Sequence, residues 1–461
     1  MSLASDAPSL TRPNDAPSRP ALDAFLAGLG EIPHETARNT VLAKSRDFFW
    51  YSPILKEQLA DCAADVIVTP RSEADVIAVA RLCATHRIPL TARGGGTGNY
   101  GQAVPLQGGV VLDLTGLTAI GPVIEGTVRV GAGAKLKDID LRTRPAGWEL
   151  RMFPSTYRTA TIGGFVAGGS GGVGGITYGG LSERGSIAAL RIVTLEAEPQ
   201  IIELRGADAL RVHHAYGTNG IITELEIPLA PAQPWVDLAV SFADFAQLGR
   251  FCLELARTDG IMKKLVTAVE WPIPRYFSTL QATLPEGASL GLFMIAGATL
   301  EPFFELVAAF GGEVVYRQTD VEVAAAGMVP IYEYTWNHTT LQLLKRDKDV
   351  TYLQSAFPSL ERVAELSRML GDEMIMHLEF VRAHGEIGIR ALQIIRYTTA
   401  ERLNEIIRIH EENGCPVFNP HTYVIEAGGM KVTDPAQLAF KRRADPLGLL
   451  NPGKMSGWTP E

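Results

Sequence analysis

The sequence lacks the marks of several common classes. Its 461 residues hold four cysteines, Cys62, Cys83, Cys252 and Cys415. They are scattered and form no Cys-x-x-Cys, so an iron–sulfur cluster or structural zinc has no ligands at a workable spacing. Reduced, buried thiols in a cytoplasmic protein are the expectation. No apolar run approaches the ~18 residues a membrane-spanning helix needs. The Pro-, Ser- and Asp-rich start has no apolar core of the kind a secretory leader carries, and reads as a disordered tail over residues 1–21. Net charge is −9, with both signs interspersed, so no basic stripe offers itself to nucleic acid. A Gly-x-Gly-x-x-Gly followed by an acidic residue is missing, which disfavours a Rossmann site and NAD.

What the chain does have is glycine in clusters. Residues 92–101 read Ala-Arg-Gly-Gly-Gly-Thr-Gly-Asn-Tyr-Gly, directly after the strand-like Ile88–Thr91. Without Cβ atoms at Gly94, Gly95, Gly96 and Gly98, this loop can gather consecutive backbone N–H groups into an anion-binding concavity. A flexible surface turn is the alternative. Residues 161–180, TIGGFVAGGSGGVGGITYGG, hold ten glycines from Gly163 to Gly180. The bulky Ile162, Phe165, Val166, Val173, Ile176 and Tyr178 set this field apart from a Gly/Ser linker and favour packed backbone beside a flat ligand. A third cluster, Tyr216 to Gly220, reads as a tight turn opening the strand Ile221–Ile227.

Periodicity supplies the frame. Val66–Val68 reads as a short strand. Ser72 caps a helix with Asp75 as its capping-box partner, and Val76, Val79, Ala80 and Cys83 form its buried face. Val110–Leu114 and Thr127–Gly131 are further strands. The aromatic stretch Arg46–Tyr51 is expected to pack on this part of the chain. After the proline-rich 228–234, taken as a domain junction, strands and helices alternate: a helix at 242–257, a strand at 290–298, a helix at 301–310, strands at 314–317, 374–381 and 391–397, and a helix at 400–412. This is an α+β pattern.

Taken in order, Val66–Glu73, Ala92–Gly98, Pro154-Ser155-Thr156, Ala160–Gly164, Thr177-Tyr178-Gly179, Gly217–Thr223 and Asp445–Met455 resemble the FAD-binding domain of the vanillyl-alcohol oxidase and p-cresol methylhydroxylase (PCMH) superfamily. That superfamily includes FAD-linked glycolate and D-lactate dehydrogenases. The resemblance covers roughly residues 60–230 and 440–458. It implies a two-lobed PCMH-type FAD-binding domain over 22–232, with its core at about 60–232. An α+β cap with an antiparallel sheet would span 233–420, and 421–461 would return to the FAD domain. It implies FAD with its pyrophosphate at Gly94–Gly98 and its ring under the cap. The cofactor-binding residues it implies are Pro70, Arg93, Gly94, Gly95, Gly96, Thr97, Gly98, Asn99, Pro154, Ser155, Thr161, Gly163, Gly164, Gly169, Gly175, Tyr178, Gly220, Ile222, Asn451 and Lys454. Some members bind FAD covalently through a His in the first loop. Here Thr97 stands in its place, and although His213, His214 and His421 occur elsewhere, dissociable FAD is expected.

Flavin chemistry on an alcohol needs a base for the hydroxyl proton. Three polar–aromatic clusters offer one. As a strand, Tyr332–His338 would set Tyr332, Tyr334, Trp336 and His338 on one face. As a strand, Met376–Arg382 pairs His377 with Glu379, the alternative being a solvated sheet face. The third is Asn419–Glu426, with His421. Arg396, beside Tyr397, is the candidate anion clamp. Metal-assisted 2-hydroxy-acid dehydrogenases carry Glu-His-Gly-Ile-Gly in this last region; here Glu426-Ala427-Gly428-Gly429-Met430 lacks the His, and the Gly-His-x-Gly-Asp-Gly-Asn-x-His metal pattern is absent, so no metal site is expected.

The expectation is an FAD-dependent oxidoreductase that moves a hydride from a hydroxyl-bearing carbon of a small alcohol, with aromatic alcohols slightly favoured, to flavin N5. His421, Tyr334, His338 and Glu379 are the candidate base and orienting groups. Oxygen, a cytochrome or a quinone would reoxidise the flavin, and a homodimer is an open assembly. A D-2-hydroxy-acid dehydrogenase, a non-catalytic flavin-binding subunit of an oxidoreductase complex and an NADPH-fed flavin reductase stay as alternatives.

Overall fold

The computed structural model describes residues 17–278, 280, 284–429 and 433–458; residues 1–16 of the expected tail and Met430 lie outside these. Chain order builds four sheets. The first, four-stranded, runs His34–Glu35, Val66–Val68, Val110–Asp113, Leu90–Arg93. Its last three strands are parallel, Val66 and Leu90 both standing opposite Val110. The helix Glu73–His86 makes the crossover. Ser72 and Asp75 form the expected capping box, and Val76, Val79, Ala80 and Cys83 are fully buried. The helix face therefore packs on the parallel strands, and the strand Leu90–Arg93 delivers the first glycine loop at its C-terminal end.

The second sheet is antiparallel and centred on the long strand Ile221–Pro231, which pairs with Thr127–Gly131, Ala189–Val193 and Trp148–Leu150. The proline-rich segment is thus strand as far as Pro231. Pro228 faces Thr127 alone, past the last residue paired with Ala189–Val193, so its missing N–H leaves no ladder bond unmade.

The third sheet has seven antiparallel strands in the order Glu313–Thr319, Trp235–Phe242, Ser289–Ala296, Lys263–Val269, His377–Ala383, Glu386–Ala391, Ser355–Phe357. Three of them, Trp235–Phe242, Lys263–Val269 and Ser289–Ala296, are buried along their whole length. Alternation explains how: Val236, Leu238, Val240 and Phe242 face the core under the helices Phe245–Arg257 and Leu360–Leu370, while Trp235 and Ala239 join the core shared with the second sheet. A fourth, three-stranded sheet holds Val350–Tyr352, Ile394–Arg396 and Met374–Ile375.

A buried ion pair ties the second sheet to the third. Lys264 Nζ lies 2.6 Å from Glu149 Oε1 and also donates to the Leu150 carbonyl, and the Trp235 indole N–H donates to the same carboxylate. Both charges are almost wholly excluded from water, so breaking the pair would strand one of them. The C-terminal residues fold back onto the first sheet: Leu90 bridges Leu450, and Asn451 N–H donates to the Leu90 carbonyl.

Two local expectations change. The helix Arg19–Gly28 begins inside the expected tail, with Ser18 as its N-cap and Pro20 in its first turn. Tyr332–His338 is no strand: Ile331–Tyr334 is a 3-10 turn and Asn337–Leu344 a helix. The reason lies in side chains, since Asp237 accepts the Ile331 N–H at 2.9 Å and Glu379 accepts that of Trp336 at 2.7 Å, leaving no ladder to join.

Candidate active site

A cavity of about 520 Å³ separates the glycine-rich loops from the edge of the seven-stranded sheet. Its floor is backbone. A Cβ at Gly94 would lie 2.1 Å from Thr161 Oγ1, one at Gly95 2.3 Å from the Thr159 carbonyl, and one at Gly163 2.7 Å from Ala132 Cβ. The first glycine loop therefore packs against the Thr159–Thr161 segment that leads into the second field, and Gly163 packs on Ala132, with little room for a side chain at any of the three. Gly96 sits at φ +63, a left-handed conformation that glycine adopts freely. Thr161 caps the helix Ile162–Gly168 by accepting the Gly164 N–H.

Behind the floor stands a buried charge network. Asp47 lines the cavity and accepts the N–H groups of Phe49 (3.0 Å) and Ala103 (3.2 Å). Lys454 Nζ donates to the Gly101 carbonyl at 2.5 Å. Burial pushes the Asp47 carboxyl up and the Lys454 ammonium down, while their mutual attraction resists both. Arg93 folds over Gly96 and donates to the Arg46 carbonyl at 2.7 Å; burial lowers it, and Asp47 and Asp113 pull it back up. The aromatic stretch joins in, with Phe48 N–H donating to the Gly98 carbonyl and Phe48 and Tyr51 on the wall.

The roof is made of side chains. Trp336, Asn337 and His338 enter from the start of one helix, Arg382 and Arg390 from two strands of the third sheet, and Phe418 from a loop. His338 Nδ1 lies 2.8 Å from Glu333 Oε2. Arg390 stacks on the Phe418 ring, 5.8 Å from its centroid, has no carboxylate partner among the described residues, and is held below the usual arginine range by burial. Asn99 Nδ2 donates to the Tyr352 hydroxyl at 2.5 Å, and Asn337 and Gln354 extend the same polar wall. Trp336 adopts φ +51, ψ −141, a conformation that costs a residue with a side chain roughly 1–3 kcal/mol and persists where the surroundings impose it.

The candidates read from sequence separate sharply here. All the cofactor candidates line the cavity except Pro70, Tyr178, Asn451 and Lys454. Pro70 instead presses its carbonyl on Gly116, and Tyr178 ends the short helix Gly175–Tyr178. Asn451 and Lys454 brace the wall from outside: Asn451 Nδ2 donates to the carbonyls of Gln102 and Tyr216. Of the catalytic candidates, His338 lines the cavity. His421 does not: both ring nitrogens are taken, by Ser52 Oγ at 2.8 Å and the Tyr352 carbonyl at 2.9 Å, and burial lowers its pKa to about 4. Tyr334 is buried against Phe277. Arg396 is exposed at the end of a strand in the three-stranded sheet. His377 and Glu379 do share a face, 2.9 Å apart, but are fully buried rather than solvated. Asp47, Gln102, Asn337, Arg390 and Phe418 escaped the sequence reading; an Arg in the alternating strand Glu386–Ala391 looks like any solvated residue. Among the described residues, no three His, Cys, Asp or Glu side chains come together as a metal site.

The family model for an FAD binding domain matches residues 64–203, the stretch that carries both main glycine fields. That stretch is an FAD-binding domain, and the chain is a flavoprotein. FAD is its cofactor, and the backbone cradle fits it. Among curated proteins, the flavoprotein is similar to the glycolate oxidase subunit GlcD of Bacillus subtilis, 24% identical over 85% of this chain and 88% of that one. It is also similar to a D-lactate dehydrogenase of Archaeoglobus fulgidus, 30% identical over 42% of this chain and 45% of that one. The Escherichia coli D-2-hydroxyglutarate dehydrogenase is 36% identical over 30% of this chain and only 14% of that one. In fold, the flavoprotein matches alkyldihydroxyacetonephosphate synthase with a TM-score of 0.72, at 14% identity, over 94% of this chain and 86% of that structure. No helix among the described residues is long and apolar enough to cross a membrane.

Proposed function

We propose that this flavoprotein oxidises a small 2-hydroxy acid, with His338 as the base and Arg390 as the carboxylate clamp. The observation that carries the reading is Arg390: a desolvated guanidinium in the cavity wall, stacked on Phe418 and without a carboxylate partner among the described residues. A half-buried cation of this kind is satisfied by an anionic ligand, and its planar fork suits a carboxylate. This replaces the neutral or aromatic alcohol favoured by the aromatic clusters, since Tyr332 and Tyr334 pack into the core instead of the cavity. Three of the relatives also bear hydroxy-acid names.

Bound FAD supplies the hydride acceptor. The chain does the rest. The amides of Gly94–Gly98 would hold the pyrophosphate, and Gly163, Gly164 and Gly169 would let the ring lie close to backbone. Glu333 Oε2 lies 2.8 Å from His338 Nδ1 without a formed hydrogen bond, and Nε2 would take the substrate hydroxyl proton as the C–H is lost. The hydroxyl proton leaves as His338 becomes imidazolium beside the Glu333 carboxylate, which stabilises that charge. Oxygen, a cytochrome or a quinone would accept the electrons, and the protein would work in the cytoplasm.

Anaerobic mixing of the FAD-loaded protein with glycolate, D-lactate, D-2-hydroxyglutarate and benzyl alcohol tests this. Bleaching of the flavin band by a hydroxy acid and not by benzyl alcohol is expected. Bleaching by benzyl alcohol alone would return the reading to alcohols, and no bleaching by any of them would favour a flavin-binding subunit.

A further inference from the structure

We infer that Trp336 is a substrate-recognition residue whose indole N–H donates to an oxygen of the bound acid, and that Glu379 is the positioning residue that aims it; this rests on the hydroxy-acid reading above. Four observations converge. Trp336 lines the cavity, and its Nε1 is buried without a hydrogen-bond partner among the described residues. A buried indole donor normally has a partner, so an open one in a ligand cavity marks where a ligand acceptor belongs. The ring is seated on Gly171: a Cβ there would lie 2.6 Å from the six-membered ring of Trp336. One glycine of the second field is therefore kept bare for the tryptophan, separately from those that face the first loop.

The third observation is the backbone. Trp336 stands at φ +51, ψ −141, where a side chain is disfavoured. The fourth is what holds it there. Glu379, 1% exposed, accepts the Trp336 N–H at 2.7 Å, with His377 Nε2 2.9 Å from the same oxygen and Thr267 Oγ1 donating to the other oxygen at 2.5 Å. Glu379 and Thr267 face each other across adjacent strands of the third sheet. A rigid sheet thus sets the turn that begins the helix Asn337–Leu344, and so the aim of Trp336 and His338 together. Glu379 does not line the cavity. It acts through another residue, unlike the acid–base role its pairing with His377 suggests.

The test uses Trp336→Phe, which keeps the ring and removes the N–H, with FAD-loaded protein and with oxalate as a non-reacting probe. Oxalate affinity by calorimetry should fall about ten-fold, the worth of one buried hydrogen bond to a charged group. KM for the hydroxy acid should rise by a similar factor, while kcat and flavin retention stay within about two-fold. Gly171→Ala moves the ring without touching Glu379 and should reproduce the loss. Glu379→Ala should weaken oxalate binding and lower kcat, and Glu379→Gln, which keeps an acceptor for the Trp336 N–H, should recover most of both. Unchanged oxalate affinity and KM in a folded, flavin-loaded Trp336→Phe protein would overturn the inference. Wild-type protein that neither binds oxalate nor is bleached by any hydroxy acid would instead overturn the reading on which it rests.

Discussion

The floor and the roof of the cavity are built on opposite plans. The floor uses main chain: Gly94, Gly95 and Gly163 are bare because Thr161, the Thr159 carbonyl and Ala132 crowd against them. The roof uses side chains drawn from distant parts of the chain, with His338, Arg390 and Phe418 meeting only through the third sheet and its loops. A backbone cradle recognises what all its ligands share, phosphate and a flat ring. Side chains can be exchanged without disturbing it, so selectivity belongs to the roof. A difference of this kind predicts that floor substitutions cost cofactor and stability, and roof substitutions cost turnover.

The largest break should come from His338→Ala. Turnover is expected to fall ~10²–10⁴-fold, the usual range for a lost general base, with flavin content unchanged by absorbance. Loss of flavin instead would place His338 in the floor's class.

His421 sharpens the contrast, because it is a buried histidine outside the cavity. Its folded pKa is about 4, below the ~6.5 of an unfolded chain. The unfolded state therefore takes up the proton first as pH falls. Stability is full above about 6.5 and declines toward about 4, by about 3 kcal/mol in all. The urea midpoint of wild type relative to His421→Asn should show that decline between pH 7 and 4, a difference that cancels the opposing contributions of the Asp47 and Asp237 carboxyls raised by burial, and kcat should hardly change. A large loss of kcat in His421→Asn would restore it as the base.

Gly95→Ala attacks the floor. Its methyl would sit 2.3 Å from the Thr159 carbonyl, and overpacking of this kind typically costs ~1–3 kcal/mol. Thermal unfolding should move down, and purified protein should lose its yellow colour. Retained flavin with normal stability would show that the loops can part.

Arg390→Lys gives the smallest change. It keeps the charge and loses the fork, so KM for a hydroxy acid should rise by about ten-fold, the scale of one charge-assisted hydrogen bond, with kcat nearly constant in steady-state assays.

How much of this could be read beforehand follows the same division. The strand–capped helix–strand unit from Val66 to Arg93 was legible because its signals are local: Ser72 with Asp75, a four-residue apolar face, glycines at a strand end. The glycine loops that line the cavity were legible for that reason too, since a bare backbone announces itself in composition. Tyr332–His338 was misread as a strand because its alternation is real, but two carboxylates distant in sequence, Asp237 and Glu379, take the N–H groups a ladder would have used. Arg396 and Arg390 are six positions apart and look alike in sequence; only strand pairing sends one to an exposed sheet end and the other into the cavity.

The sequence by itself determined that the chain would present stripped backbone to the cavity, because φ freedom and the absence of Cβ are properties of single residues. Tertiary structure alone decided which of the two candidates His338 and His421 meets the cavity. His338 and His421 carry the same imidazole, and what separates them is the partners that surround each: a carboxylate at one nitrogen of the first, and Ser52 with the Tyr352 carbonyl closing off both nitrogens of the second.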